Sequence, residues 1–144
     1  MKSGHELSFP PEGSVLRDLR AKVRRLAGSL GAIASVCDNL ALIVDELVNN
    51  AIEHGAAYRR KHLDLGLRIS PDGDRIAIEF LDPEMPPEAI ADLARGLEAT
   101  TSGMPSLESE RGRGLFLLSI YLDRLRAEPH AAGGLRLTGS ILRQ

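Results

Sequence analysis

Apolar positions along this chain recur with two rhythms, and the order of those rhythms predicts the elements of one α/β unit. His5-Glu6-Leu7-Ser8-Phe9 alternates and stops at Pro10-Pro11, which predicts a short strand. From Ser14, read as an N-cap, Val15, Leu16, Leu19, Val23 and Leu26 recur at helical spacing as far as Gly28 or Gly31. A short connection over 31–35 leads to a long central helix over 36–54. Its residues Leu40, Ile43, Val44, Leu47, Val48 and Ala51 fall on one apolar stripe, and Gly55 is expected at a left-handed cap. After a loop over 56–61, Leu63 to Ile69 alternates, Pro71-Asp72-Gly73-Asp74 turns, and Arg75 to Leu81 alternates again, which predicts a hairpin.

Glu88 to Leu97 has helical composition, and the polar segment Glu98 to Glu110 reads as a disordered loop or a lid over a ligand. A final helix is expected over 115–125, followed by strands over 125–130 and 134–142 paired across Ala131 to Gly133. No repeat or linker divides the chain. The fold class expected over residues 1–144 is therefore a single two-layer α/β sandwich, with a mixed, mostly antiparallel sheet and helices on one face.

Composition narrows the classes of function. The chain has 144 residues, enough for one domain with a real core, and a net charge of −2 from interspersed acids and bases. It presents no basic field for nucleic acid or a membrane surface. Two tyrosines, three phenylalanines and no tryptophan leave few platforms for base stacking. Cys37 is the single cysteine, so no internal disulfide is possible; it is expected to pack as a small buried residue in a cytoplasmic protein. Met1 to Gly13 lacks the basic start and apolar run of a signal peptide and no apolar run approaches membrane-spanning length, so a soluble protein is expected.

Two stretches carry candidate chemistry. On the central helix Glu46 and Asn50 lie one turn apart along the border of the apolar stripe, with Asn39, Glu53 and His54 nearby. A carboxylate and a carboxamide so placed suit a hard cation such as magnesium, held by few protein ligands plus waters and phosphates; the bland alternative is a wet helix flank. Glu110-Arg111-Gly112-Arg113-Gly114-Leu115 is a glycine-rich turn running into an apolar helix, where bare backbone and free amides favour phosphate. Alone, such a Gly-x-Gly is a weak signal.

Together, in this order and separation, the two stretches resemble the N-box and second glycine box of the GHKL ATP-binding (Bergerat) fold. The Glu46, Asn50, His54, Gly55 pattern looks most like the anti-sigma-factor serine kinases of the RsbW and SpoIIAB type. The resemblance implies that Glu46 orients or deprotonates an acceptor serine and that Asn50 holds the magnesium of Mg-ATP. It implies further that Arg111, Gly112, Arg113, Gly114 and Leu115 surround the phosphates. Asp82, at the end of a strand, matches the first glycine box aspartate that recognises the adenine amino group. Glu84 stands where that box has a glycine, a departure that bears on nucleotide binding.

The function this implies is a serine kinase acting on a STAS-domain anti-sigma-factor antagonist, with a sigma factor or equivalent regulator competing for the same protein. A homodimer is possible by the same resemblance. The alternative is a protein-binding module of the same fold that sequesters a partner without phosphotransfer. The catalytic half of a histidine kinase fits less well, because none of His5, His54, His62 and His130 lies in a separate dimerising helix. A zinc site on Glu46, Glu53 and His54 lacks a further ligand. The basic strip Arg17, Arg20, Lys22, Arg24 and Arg25 on the first helix is a solvated face or a dock for an acidic partner.

Overall fold

A computed structural model describes residues 4–101 and 110–144, together with the backbone but not the side chains of 101 and 110–113. In chain order the elements are β1 (His5–Phe9), α1 (Leu16–Ser29), α2 (Ala34–Gly55), β2 (Leu65–Asp72), β3 (Arg75–Asp82), α3 (Pro87–Thr101), α4 (Glu110–Tyr121), β4 (Asp123–Pro129) and β5 (Leu135–Leu142). The strands form one sheet in the order β1-β2-β3-β5-β4, and every pairing is antiparallel. It therefore sits at the antiparallel end of the mixed sheet expected.

Alternation along the strands decides which face is covered. Leu65, Leu67 and Ile69 of β2, Ile76, Ile78 and Phe80 of β3, and Leu135 and Leu137 of β5 are buried. Their neighbours Arg68, Glu79 and Arg136 stay on the other face, where Glu79 and Arg136 pair at 2.6 Å. The helices cover the apolar face. The stripe Leu40, Ile43, Val44, Leu47, Val48, Ala51 is buried along α2, which packs against α1 and α4. Cys37 is buried and reduced, its Sγ 3.6 Å from the Ala32 carbonyl oxygen, and burial raises the pKa of its thiol. No described helix is long and apolar enough to cross a membrane.

Several expected boundaries move. Ser14 is not a cap: a single 3-10 turn over Gly13–Val15 feeds α1, whose N-cap is Val15 with no side-chain bond. The turn supplies early backbone pairing that a serine side chain would otherwise provide. Gly55 is the last helical residue and has no left-handed backbone; that conformation falls instead on Gly31, Gly73, Gly133 and Gly134 among the described glycines. β2 begins at Leu65, later than expected. α4 begins at Glu110 and ends at Tyr121, so the expected glycine turn is the start of a helix. Of the expected lid, 98–101 belongs to α3, and 102–109 lies outside the described residues.

The β4–β5 turn closes against the end of β3. Gly134 has φ +83°, and a Cβ there would come within 2.6 Å of Pro83 Cα and collide with the Asp82 carbonyl oxygen. Gly134→Ala therefore meets both a disfavoured φ and backbone contact. We expect a lower melting temperature by thermal circular dichroism, with a loss of about 2–4 kcal/mol.

Candidate functional site

The site is built where α2, α4 and the end of β3 meet. Three turns of α2 place Glu46, Asn50 and Glu53 on the border of the buried stripe because the helical step returns every third or fourth residue to the same edge. Glu46 reaches across to α4: a Cβ on Gly114 would lie 2.8 Å from Glu46 Oε2. The two stretches singled out in the sequence are thus in contact. The first four amides of a helix lack internal partners, so with α4 starting at 110, Gly112 lies in the donor turn and Gly114 beyond it. Gly114 contributes its missing side chain, which lets a carboxylate lie against the backbone. Leu115 points into the core against Gly96. Arg111 and Arg113 lie in the first turn of α4.

Burial raises the Glu46 carboxyl above the ordinary carboxylate range, and the negative charges of Asp45 and Glu53 add to this. A carboxylate held this way is a stronger base than a free one. Asn50 is half-buried in α2, and among the described residues its carboxamide makes no side-chain hydrogen bond, which leaves its amide oxygen available for a ligand. Among those residues no group of three or more His, Cys, Asp or Glu could hold a metal ion. A cation at Asn50 would accordingly take most of its ligands from phosphate and water.

Asp82 lies at the end of β3, surrounded by residues of the loop that follows α2. It is 0 % exposed, and both its oxygens are engaged from within the chain. Arg59 Nη1 donates to Oδ1 at 3.1 Å and Nη2 to Oδ2 at 2.8 Å, a two-pronged pair. Tyr58 Oη donates to Oδ2 at 2.9 Å, and the Glu84 backbone amide to Oδ1 at 3.2 Å. A carboxylate has about four acceptor positions, and these four donors take them up.

Glu84, the departure at the glycine position, has a structural task. Its Oε1 accepts the amides of Arg60 at 3.0 Å and Lys61 at 2.7 Å, and its Oε2 accepts that of Leu63 at 3.2 Å and lies 3.4 Å from Arg59 Nη1. His62, between these donors, takes a left-handed φ of +51° to wrap the loop around the carboxylate. Burial alone would raise the Glu84 carboxyl, but the amides of Lys61, Arg60 and Leu63 and the charge of Arg59 outweigh it and lower the pKa. A lowered pKa adds stability above the ordinary carboxyl range near 4.3, and that stability is lost as pH falls through the depressed value. Glu84→Gln keeps only one acceptor oxygen. We expect it to cost about 2 kcal/mol in urea denaturation at pH 7, with the gap from wild type closing in acid.

Arg59 and Tyr58 lie in the loop after α2, where local sequence pattern assigns them no task. The available signal was an extra acid, Glu84, close to Asp82: two carboxylates at one strand end call for a cation, and the basic run 59–61 is the nearest supply in sequence. On α1, Arg20 pairs with Asp45 at 2.7 Å and Arg24 with Asp38 at 3.1 Å, so part of the basic strip is turned inward to α2. These half-exposed pairs contribute on the order of 0–1 kcal/mol each.

The profile of the histidine kinase-like ATPase domain matches residues 9–138. Comparison with curated proteins gives no match. A chain in the crystal structure of the SiaB–SiaC complex from Pseudomonas aeruginosa superposes with a TM-score of 0.73 at 14 % identity, over 95 % of this chain and 88 % of that one. The structure of the RsbU and RsbW domains of Rv1364c from Mycobacterium tuberculosis gives a TM-score of 0.58 at 16 % identity, over 99 % of this chain and 34 % of that one. At such identities the likeness is one of fold.

The residues of the candidate site suit the two ends of a nucleotide differently. At the phosphate end the residues fit: a basic carboxylate, an unpartnered carboxamide and a helix start lie together. At the base end they do not fit as arranged, because Asp82 has no acceptor left for an adenine amino group.

Proposed function

Because the chain belongs to the histidine kinase-like ATPase domain family, we propose that it is a partner-switching serine kinase of the anti-sigma-factor type. Family membership implies ATP binding. The observation that carries the kinase reading is the contact of Glu46 with Gly114, which brings the basic carboxylate of α2 to the start of α4. In this reading Asn50 holds the magnesium, the amides and arginines at the α4 start neutralise phosphate charge, and Glu46 accepts the proton of the acceptor serine hydroxyl. ATP, when bound, supplies the transferable phosphoryl group. The acceptor is a serine on a partner protein of the STAS fold, and a sigma factor or equivalent regulator competes for the same surface. The solved complex of SiaB with SiaC supports a role for this fold beside a partner protein.

A second reading, a binding module without transfer, is favoured by one observation: the acceptors of Asp82 are saturated by Arg59, Tyr58 and Glu84. Incubation with radiolabelled ATP, magnesium and a STAS-domain protein from the same organism separates the two. Label on serine that vanishes in Glu46→Gln and Asn50→Ala supports the kinase. Tight partner binding with no label in the wild-type protein supports the module.

A further inference from the structure

Arg59 is held more firmly than a solvent-facing loop arginine needs to be. Its side chain is 5 % exposed and is gripped on four sides: by Asp82, by Glu84, by the Ala51 carbonyl oxygen at 3.1 Å from Nη2, and by the Tyr58 ring, whose centroid lies 5.3 Å from Cζ. A space in α2 is kept clear for it. A Cβ on Gly55 would lie 2.9 Å from Arg59 Nε and 3.0 Å from Cζ, and would collide with Nη2. Since Gly55 has an ordinary helical backbone, this seat, and no turn, is what requires glycine there. Glu84 in turn ties the loop that carries Arg59 to the end of β3 through three amides.

To Asp82, a guanidinium N–H and the amino N–H of an adenine base are the same kind of donor. We propose that Arg59 is an internal occupant of the base pocket, a latch whose guanidinium must leave Asp82 before a nucleotide base can bind. The inference rests on the nucleotide-binding reading above and adds a closed state to it. A base replaces a two-pronged, charge-assisted pair with a neutral amino contact, so it cannot open the latch by that contact alone. The gain has to come from the triphosphate at Asn50 and the α4 start, or from a partner that moves the 56–63 loop. Apparent nucleotide affinity is then lower than the intrinsic value by the fraction of molecules that are open.

Two substitutions unlatch the pocket by different routes. Arg59→Gln removes the cation, and Gly55→Ala keeps it but fills its seat. Calorimetric titration of the full chain with Mg-ATP and with Mg-ADP is expected to show binding at least about tenfold tighter in both variants than in the wild type, a difference of about 1.4 kcal/mol. In the wild-type protein the Arg59 side-chain N–H resonances should be protected from solvent exchange and lose that protection as nucleotide is added. Equal affinities in all three proteins, or resonances still protected at saturating nucleotide, overturn the latch. Tightened binding with no transfer to serine in any variant leaves the latch standing and removes the kinase. Absence of nucleotide binding in all three removes the nucleotide reading and the latch together.

Discussion

Arg59→Ala is expected to lower the free energy of unfolding by about 3–5 kcal/mol in urea denaturation at neutral pH, the range found when one member of a buried ion pair is deleted. The size follows from what the guanidinium leaves behind. Asp82 is 0 % exposed and the Glu84 side chain 7 % exposed, so two buried carboxyl groups would be left at one strand end without their cation. The pair is strong because it is two-pronged, and burial, which alone would weaken the charge on Arg59, is outweighed by Asp82 first and by Glu84 last. Arg59→Ala combined with Asp82→Ala should restore part of the loss, since the remaining side chains then bury less uncompensated charge. A loss below about 1 kcal/mol in the single variant would mean that water reaches Asp82 once the arginine is gone.

Glu46→Gln is expected to move activity and stability in opposite directions. If Glu46 accepts the serine proton, its loss costs about 10²–10⁴-fold in the rate of phosphoryl transfer, read from single-turnover labelling. Stability moves the other way because the fold disfavours the ionised carboxyl: burial and the neighbouring Asp45 and Glu53 charges raise its pKa. A raised pKa means that stability is complete below the ordinary carboxyl range and declines as pH rises through the elevated value. Glutamine removes that decline. The variant should melt at a higher temperature than wild type at pH 7, and the difference should vanish below about pH 4. A variant that is less stable at pH 7 would show that Glu46 is a structural acceptor, and the trade between strain and function would be absent.

Much of this molecule was legible as periodicity. The α2 stripe, the β2–β3 hairpin and the β4–β5 hairpin follow from which residue returns to which face, and burial places those side chains in the core as the spacing predicts. Boundaries were less legible. The start of α4 at Glu110 runs through two glycines that local propensity would place in a turn; at Gly114 the absent side chain makes room for Glu46 of another helix. Local pattern likewise points to a cap at Gly55, whereas its bareness answers to Arg59, four residues on and across a turn.

By itself the sequence determined the two-layer α/β architecture, the apolar stripe, and the pairing of Glu46 and Asn50 on one helix edge, since each depends only on spacing along a regular element. Tertiary structure alone decided that Glu46 lies against Gly114 and that Asp82 faces Arg59, 23 residues earlier in the chain. The reason is physical: a charge inside a protein needs a partner within about 3 Å, and which partner comes that close is set by how separate elements pack.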